Sequence, residues 1–177
     1  VFPFPVLDNA GMPVIFSHPR KLATLAFLQT SSLDGRYPFV HLFNGALIAS
    51  SVIQQIGNVN SDFFIFGEEV DYFFRLRQAG KVFSLLAARH FHPDVSCRPY
   101  SSIKIYYYIR NTFILNSRYF DKVFLRHFMA LVAVLVRTAQ RNGIGEALSY
   151  VIGIRLPVLL RAVYAGLIGR LGLEFHE

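Results

Sequence analysis

Apolar positions alternate between short runs and helical spacing in the first half of the chain, then keep to helical spacing. From Ala46 to Ile56 (ALIASSVIQQI) they recur as on one face of a helix, and Gly57 follows where a helix end favours positive φ. Phe63 to Phe66 (FFIF) is a short continuous apolar run and reads as a buried strand. Gly67-Glu68-Glu69 opens a second helix that runs to Ala79 and stops at Gly80. Acids in its first turn, with Arg75 and Arg77 towards its last, are what the helix dipole favours. Lys81 to His92 predicts a strand ended by Pro93. After a Pro/Ser-rich connector come helices over Ile103 to Asn116 and Phe120 to Gln140. Asn142-Gly143 breaks the second, and a last helical stretch runs to about Gly172, kinked or restarted near Pro157.

The start of the chain is less regular. Residues 1–21 carry Pro3, Pro5, Pro13 and Pro19, with Asp8-Asn9-Ala10-Gly11 as a turn, which predicts loops and at most short edge strands. Leu22 to Gln29 suits a short strand or a helix, Ser31 to Arg36 a loop, and Phe39 to Phe43 a short strand. The order of elements predicts an α/β fold, a mixed sheet flanked by helices with an amphipathic helical tail.

Composition narrows the classes. The 177 residues suffice for one domain with a core, and position 1, a Val, reads as an internal point of a longer polypeptide. The hydrophobic fraction is 53% and the mean hydropathy +0.38. No stretch reaches the roughly 18 uncharged apolar residues that span a bilayer. The longest apolar run near the C-terminus, Phe128 to Val136, is flanked by Arg126, His127 and Arg137, and reads as interfacial or buried. A net charge of +7 suits an anionic partner. Nucleic acid is set aside: the basic residues are spread along the chain, and no recognition-helix, zinc or RNA-stacking signature is present. The single cysteine, Cys97, excludes an internal disulfide and a cysteine-rich metal site. Lys122, Arg126, Arg137 and Arg141 fall within an arc of about 100° on one helix, a stripe for anionic headgroups or a solvated face.

The chemistry-bearing segment is Phe63 to His92. It delivers Glu68 and Glu69 to a helix start, with Asp71 close behind. A carboxylate aimed at a hydroxyl can serve as its base, and the helix N-terminus favours the ionised form. The same acids also read as a first-turn preference with an ion pair to Arg75. His90 and His92 alternate with Phe91, so on a strand both imidazoles share one face. Imidazole with carboxylate suits Mn or Zn, although a histidine is often a core residue. The strand-turn-helix-strand order predicts that one folded unit gathers Glu69 and His92.

The run F-I-x-G-E-E-V-D-x-x-x-R-x-R-x-A-G resembles the E-D-V-D-x-x-x-R-x-R-x-A-G segment of family 2 glycosyltransferases, and within them the rhamnosyl- and galactofuranosyl-transferase-like members. Asn44-Gly45, Ile56-Gly57, Arg110-Asn111, Pro5-…-Asp8-…-Gly11 and the tail Gly166 to Gly172 (GLIGRLG) resemble further elements of that family, in its order. The resemblance implies the C-terminal, acceptor-side part of a GT-A-like fold, with residues 1–116 in the catalytic domain and 117–177 as a tail at a membrane surface. It implies an inverting hexosyl- or rhamnosyl-type transferase acting in cell-wall or polysaccharide synthesis, with a nucleotide-sugar donor and a glycan or lipid-linked acceptor. Glu69 matches the general base, with Glu68 beside it and Asp71 a second acid in the acceptor pocket. Asn44 and Gly45 would border the donor sugar, Arg110 meet a phosphate, and His92 contact the metal or diphosphate. A divalent metal, Mn or Mg, would be held mainly by an N-terminal half carrying a D-x-D, a motif this chain lacks. The chain alone is then expected to be inactive, and the protein cytoplasmic, peripheral to the inner face of the cell membrane. Where the family more often has Asp, position 69 is Glu, whose carboxyl reaches one methylene further. The rival expectation is a non-catalytic, membrane-associated helical module.

Overall fold

The computed structural model describes residues 2–7, 33–37, 45–92 and 99–174. The chain forms two compact units: Val1–Asn58 with Tyr72–Ser96, and Val59–Asp71 with Cys97–Glu177. The expected elements at Leu22 to Gln29 and Phe39 to Phe43 lie outside the described residues, as do Asn44 and the connector after Pro93.

The first unit holds a three-stranded sheet ordered β1-β3-β2, with β1 Phe2–Leu7, β2 Arg36–Tyr37 and β3 Ser84–His92. β3 is central, parallel to β1 and antiparallel to β2. Pro3 and Pro5 lie in β1, on an edge, where a missing ladder donor is tolerated. Helix α1 is Ser50–Ile56, shorter at its start than the apolar spacing predicts, and Gly57 closes it at φ 77°. Its end is held from helix α2, Glu68–Ala79. Arg75 donates to Ile56 O and Asn58 O, both at 3.0 Å, and the Tyr72 hydroxyl donates to Gly57 O at 3.1 Å. These are the terminal carbonyls that a helix cannot satisfy itself. Arg75 therefore serves carbonyls, and among the described residues no ion pair joins it to Glu68 or Glu69.

Helices make the second unit: α3 Ser102–Tyr119, α4 Val123–Asn142, α5 Ile144–Ile152 and α6 Leu156–Leu167. α3 crosses the boundary expected at 116–117 and is the most buried of them, packing on both α4 and α6. Ile105, Tyr106, Ile109 and Phe113 form the core with Val134, Tyr150 and Ala162. The α3–α6 approach is close because Gly166 faces Phe113: a Cβ there would lie 2.7 Å from Phe113 Cβ and 3.0 Å from Arg110 O. His127 stacks on Phe113 at 3.9 Å between ring centroids, and its Nε2 lies 3.1 Å from Phe113 O.

Two expectations change. α4 is 20 residues long with a most apolar window of mean hydropathy 1.4, so among the described residues one helix is long and apolar enough to cross a membrane by length and composition. Scattered Arg and His interrupt a run without lowering its mean far. The basic stripe also divides: Arg137 lies over the rings of Tyr100 and Tyr108, and Arg141 over Tyr100. These two cations are turned onto aromatic faces of their own unit, where cation–π attraction holds them.

Candidate functional site

The site begins with a loop that the sequence presents as a strand. Phe63 to Phe66 forms no strand; it bends. Phe66 N–H donates to Phe64 O at 3.0 Å across Ile65, whose φ is +70°. That is a classic-hand γ-turn, a rare and strained conformation for a β-branched residue. Strain of this kind persists where the surroundings over-determine it, and here α3 does so. The Asn111 amide donates to Phe64 O at 3.2 Å and to Phe66 O. Carbonyls that a neighbouring strand would have served are served by one side chain. Gly67 follows at φ +99°, and a Cβ on it would lie 3.1 Å from Asn111 Cβ and from Phe63 Cδ1. Only glycine fits both that φ and that space.

Arg110 orients the asparagine. Its side chain is fully buried, 0% exposed, with the guanidinium 4.6 Å from the Tyr107 ring centre. Nε donates to Asn111 Oδ1 at 2.8 Å and Nη1 to Gly172 O at 2.6 Å. Gly172 N–H in turn donates to Asp62 O at 2.8 Å, so the glycine-bearing tail is tied to the loop that precedes the acids. Arg110, expected to meet a phosphate, is buried here between Tyr106 and Tyr107, and its Nη2 is enclosed with no hydrogen-bond partner among the described residues.

The acids divide three ways. Asp71 is buried and held: the Tyr119 hydroxyl donates to its Oδ1 at 2.6 Å and Arg118 Nη1 approaches at 3.4 Å. Its carboxylate braces α2 against α3. Glu68 is half-buried, and its Oε2 is enclosed with no hydrogen-bond partner among the described residues. Glu69 is half-buried beside it. Burial, and after it the charge of Glu68, push the Glu69 carboxyl up from 4.5 to about 7. The helix dipole predicts an ionised base; its pull is about 0.3–1 kcal/mol at exposed sites, and desolvation outweighs it here. A carboxyl balanced near neutrality can both accept and return a proton.

The remaining expected positions belong to the first unit or lie outside the described residues. Gly45 is exposed in the first unit at φ +76°, and Asn44 is outside the described residues. His92 ends β3 with its side chain likewise outside them; the chain assigns it to the first unit and Glu69 to the second. Among the described residues no group of three or more His, Cys, Asp or Glu could hold a metal ion, and the His92 side chain lies outside them. The hollow lined by Leu47, Val52, Leu76 and Val82, and the larger one lined by Asp34, Arg36, Arg77 and Lys81, lie in the first unit and include neither Glu68 nor Glu69. Sequence reasoning missed Asn111 and Tyr119 as positioning groups. The signal for Asn111 was an amide inside an aromatic helix, which must find partners when buried.

The corner thus sets a carboxyl pushed up to about 7 beside a second carboxyl, ahead of a loop held by Asn111. Over 93 residues the chain is 29% identical to the low-salt glycan biosynthesis hexosyltransferase Agl10 of Haloferax volcanii, a match covering 51% of this chain and 30% of that protein. The likeness supports a relationship to glycosyltransferases. No protein-family profile matches the chain, and no solved structure matches it.

Proposed function

We propose that the chain is the acceptor-side part of an inverting glycosyltransferase of family 2 type, within a GT-A-like fold, and that Glu69 is its general base. The observation that carries this reading is the Glu69 carboxyl, desolvated beside Glu68 at the head of α2 and pushed up to about 7. The hexosyltransferase likeness supports it. In the proposed reaction a hydroxyl of a glycan or lipid-linked glycan gives its proton to a Glu69 oxygen. The hydroxyl oxygen forms a bond to the anomeric carbon of a nucleotide-activated sugar as the bond from that carbon to the diphosphate breaks. The nucleoside diphosphate leaves with the electron pair, and the anomeric configuration inverts. Burial, and after it the like charge of Glu68, hold the base near neutrality. The proposed place of action is the cytoplasmic face of the cell membrane, where a lipid-linked acceptor is presented.

The test is sugar transfer by the full-length protein with Glu69→Gln. Transfer is expected to fall at least about a hundredfold, the usual contribution of a general base, with donor affinity unchanged. Transfer at the wild-type rate overturns the assignment. Complete absence of transfer by the wild-type full-length protein favours the rival, a non-catalytic helical module.

A further inference from the structure

The second unit carries an apolar surface that its own core does not use. Along α4 the inward stripe is His127, Ala130, Val134 and Thr138. The outward stripe is also apolar: Phe124 is 88% exposed, and Leu125, Phe128, Met129 and Val136 are all more than half or half exposed. A surface helix in water shows the reverse, an apolar face inward and a polar face outward. The same inversion recurs on α5 and α6, which pack against each other. The corner between them projects Ile152 and Ile154, 80% and 90% exposed, and α6 shows Leu160 and Tyr164. So many large apolar side chains exposed on adjacent packed helices mark an interaction surface.

We infer that this face of α4, α5 and α6 seats in the interfacial layer of an anionic lipid bilayer, lying in the plane of the membrane. Charge selects this occupant over a protein. Residues 117–177 hold eight Lys or Arg and four Asp or Glu, and of the acids Glu146 and Glu174 are paired with Arg155 and Arg170. Arg161 stands exposed beside Leu160; Arg126, also exposed, lies over the Phe120 ring at 4.3 Å with its Nε donating to Asp121 O, which leaves its Nη groups for a phosphate. Guanidinium groups among apolar side chains suit an interface where stems lie in the acyl boundary and heads reach phosphates. A spanning α4 is disfavoured because its other face packs on α3, which buries Arg110, and because α4 itself carries Arg126 and Arg137; a bilayer interior would have to admit these charges. The surface, not the Arg137–Arg141 stripe, does the binding, since those two arginines are occupied by Tyr100 and Tyr108. The inference stands apart from the transferase reading, because its readout is partition into lipid and not sugar transfer.

The experiment is flotation of the full-length protein with vesicles of phosphatidylcholine alone and of phosphatidylcholine with phosphatidylglycerol. The wild type is expected to float with the anionic vesicles and to be released by alkaline carbonate. Ile152→Asp with Ile154→Asp, and separately Phe124→Asp, are expected to lower partition about tenfold or more. These side chains are nearly fully exposed, so helical circular dichroism should not change. Three results would overturn the inference: no flotation of the wild type with either vesicle, equal flotation of wild type and variants, or retention through carbonate as for a spanning helix. Loss of a dimer in the variants without any vesicle binding would assign the face to a second copy of the chain, and likewise overturn it.

Discussion

Arg110 donates its Nε to Asn111 Oδ1 at 2.8 Å, and this bond between sequence neighbours fixes which end of the Asn111 amide meets the loop ahead of the acids. With Oδ1 taken, the amide N–H₂ faces Phe64 O and Phe66 O. The γ-turn at Ile65, the positive φ of Gly67 and the start of α2 follow from that orientation.

Asn111→Asp should therefore be among the most damaging isosteric changes in the chain. It removes the donor and sets an acceptor against two carbonyls. The expected cost is about 2–4 kcal/mol in urea unfolding, with faster amide exchange over residues 63–67. Unchanged stability would show that the amide does not hold the loop.

The second prediction concerns the proton on Glu69. Because its folded value is raised from 4.5 to about 7, the folded chain binds more protons than the unfolded chain between those pH values. The contribution is fully present below about 4.5 and is lost as pH rises through about 7. Thermal melts should show wild-type stability declining over that window relative to Glu69→Gln, which lacks the titration. Parallel pH profiles for the two proteins would refute the shift.

Glu68→Gln should lower the Glu69 value without restoring it fully, since burial is the larger cause and the Glu68 charge the second. Carbon-13 titration of the glutamate carboxyls would read this directly. In the full-length protein the acid limb of the pH–rate profile should move down with it.

Gly166→Ala should destabilise the second unit by about 1–3 kcal/mol. The added methyl group would sit 2.7 Å from Phe113 Cβ and 3.0 Å from Arg110 O, and a backbone oxygen cannot step aside as a flexible side chain can. Denaturant unfolding checks this. The same substitution at Gly145, where a Cβ would meet nothing within 4 Å, serves as the control.

Tyr119→Phe should cost about 1–2 kcal/mol, because Asp71 loses the 2.6 Å hydroxyl bond and keeps the longer approach of Arg118. Unfolding at neutral pH measures it, and Asp71→Asn in the same background should add little if the two act as one contact.

Pattern by itself determined the helices and some of their ends. The acidic start and Gly80 mark α2 to within one residue, Gly57 takes the positive φ that a helix end favours, and the acids stand in the first turn of α2. These features rest on neighbours within one or two helical turns, so a reading along the chain contains their physics. Tertiary structure decided the rest. The FFIF run has the composition of a strand, and it became a strained turn because its carbonyls found Asn111, 47 residues from Phe64. Arg110 reads as a phosphate ligand, and only the fold sets it between Tyr106 and Tyr107; Arg137 reads as part of a basic stripe until Tyr100 and Tyr108 take it. Periodicity shows that α4 has an apolar side but not that the side facing outward is apolar too. A polar group's partner, and the direction a face turns, depend on segments distant along the chain, and only folding brings those segments together.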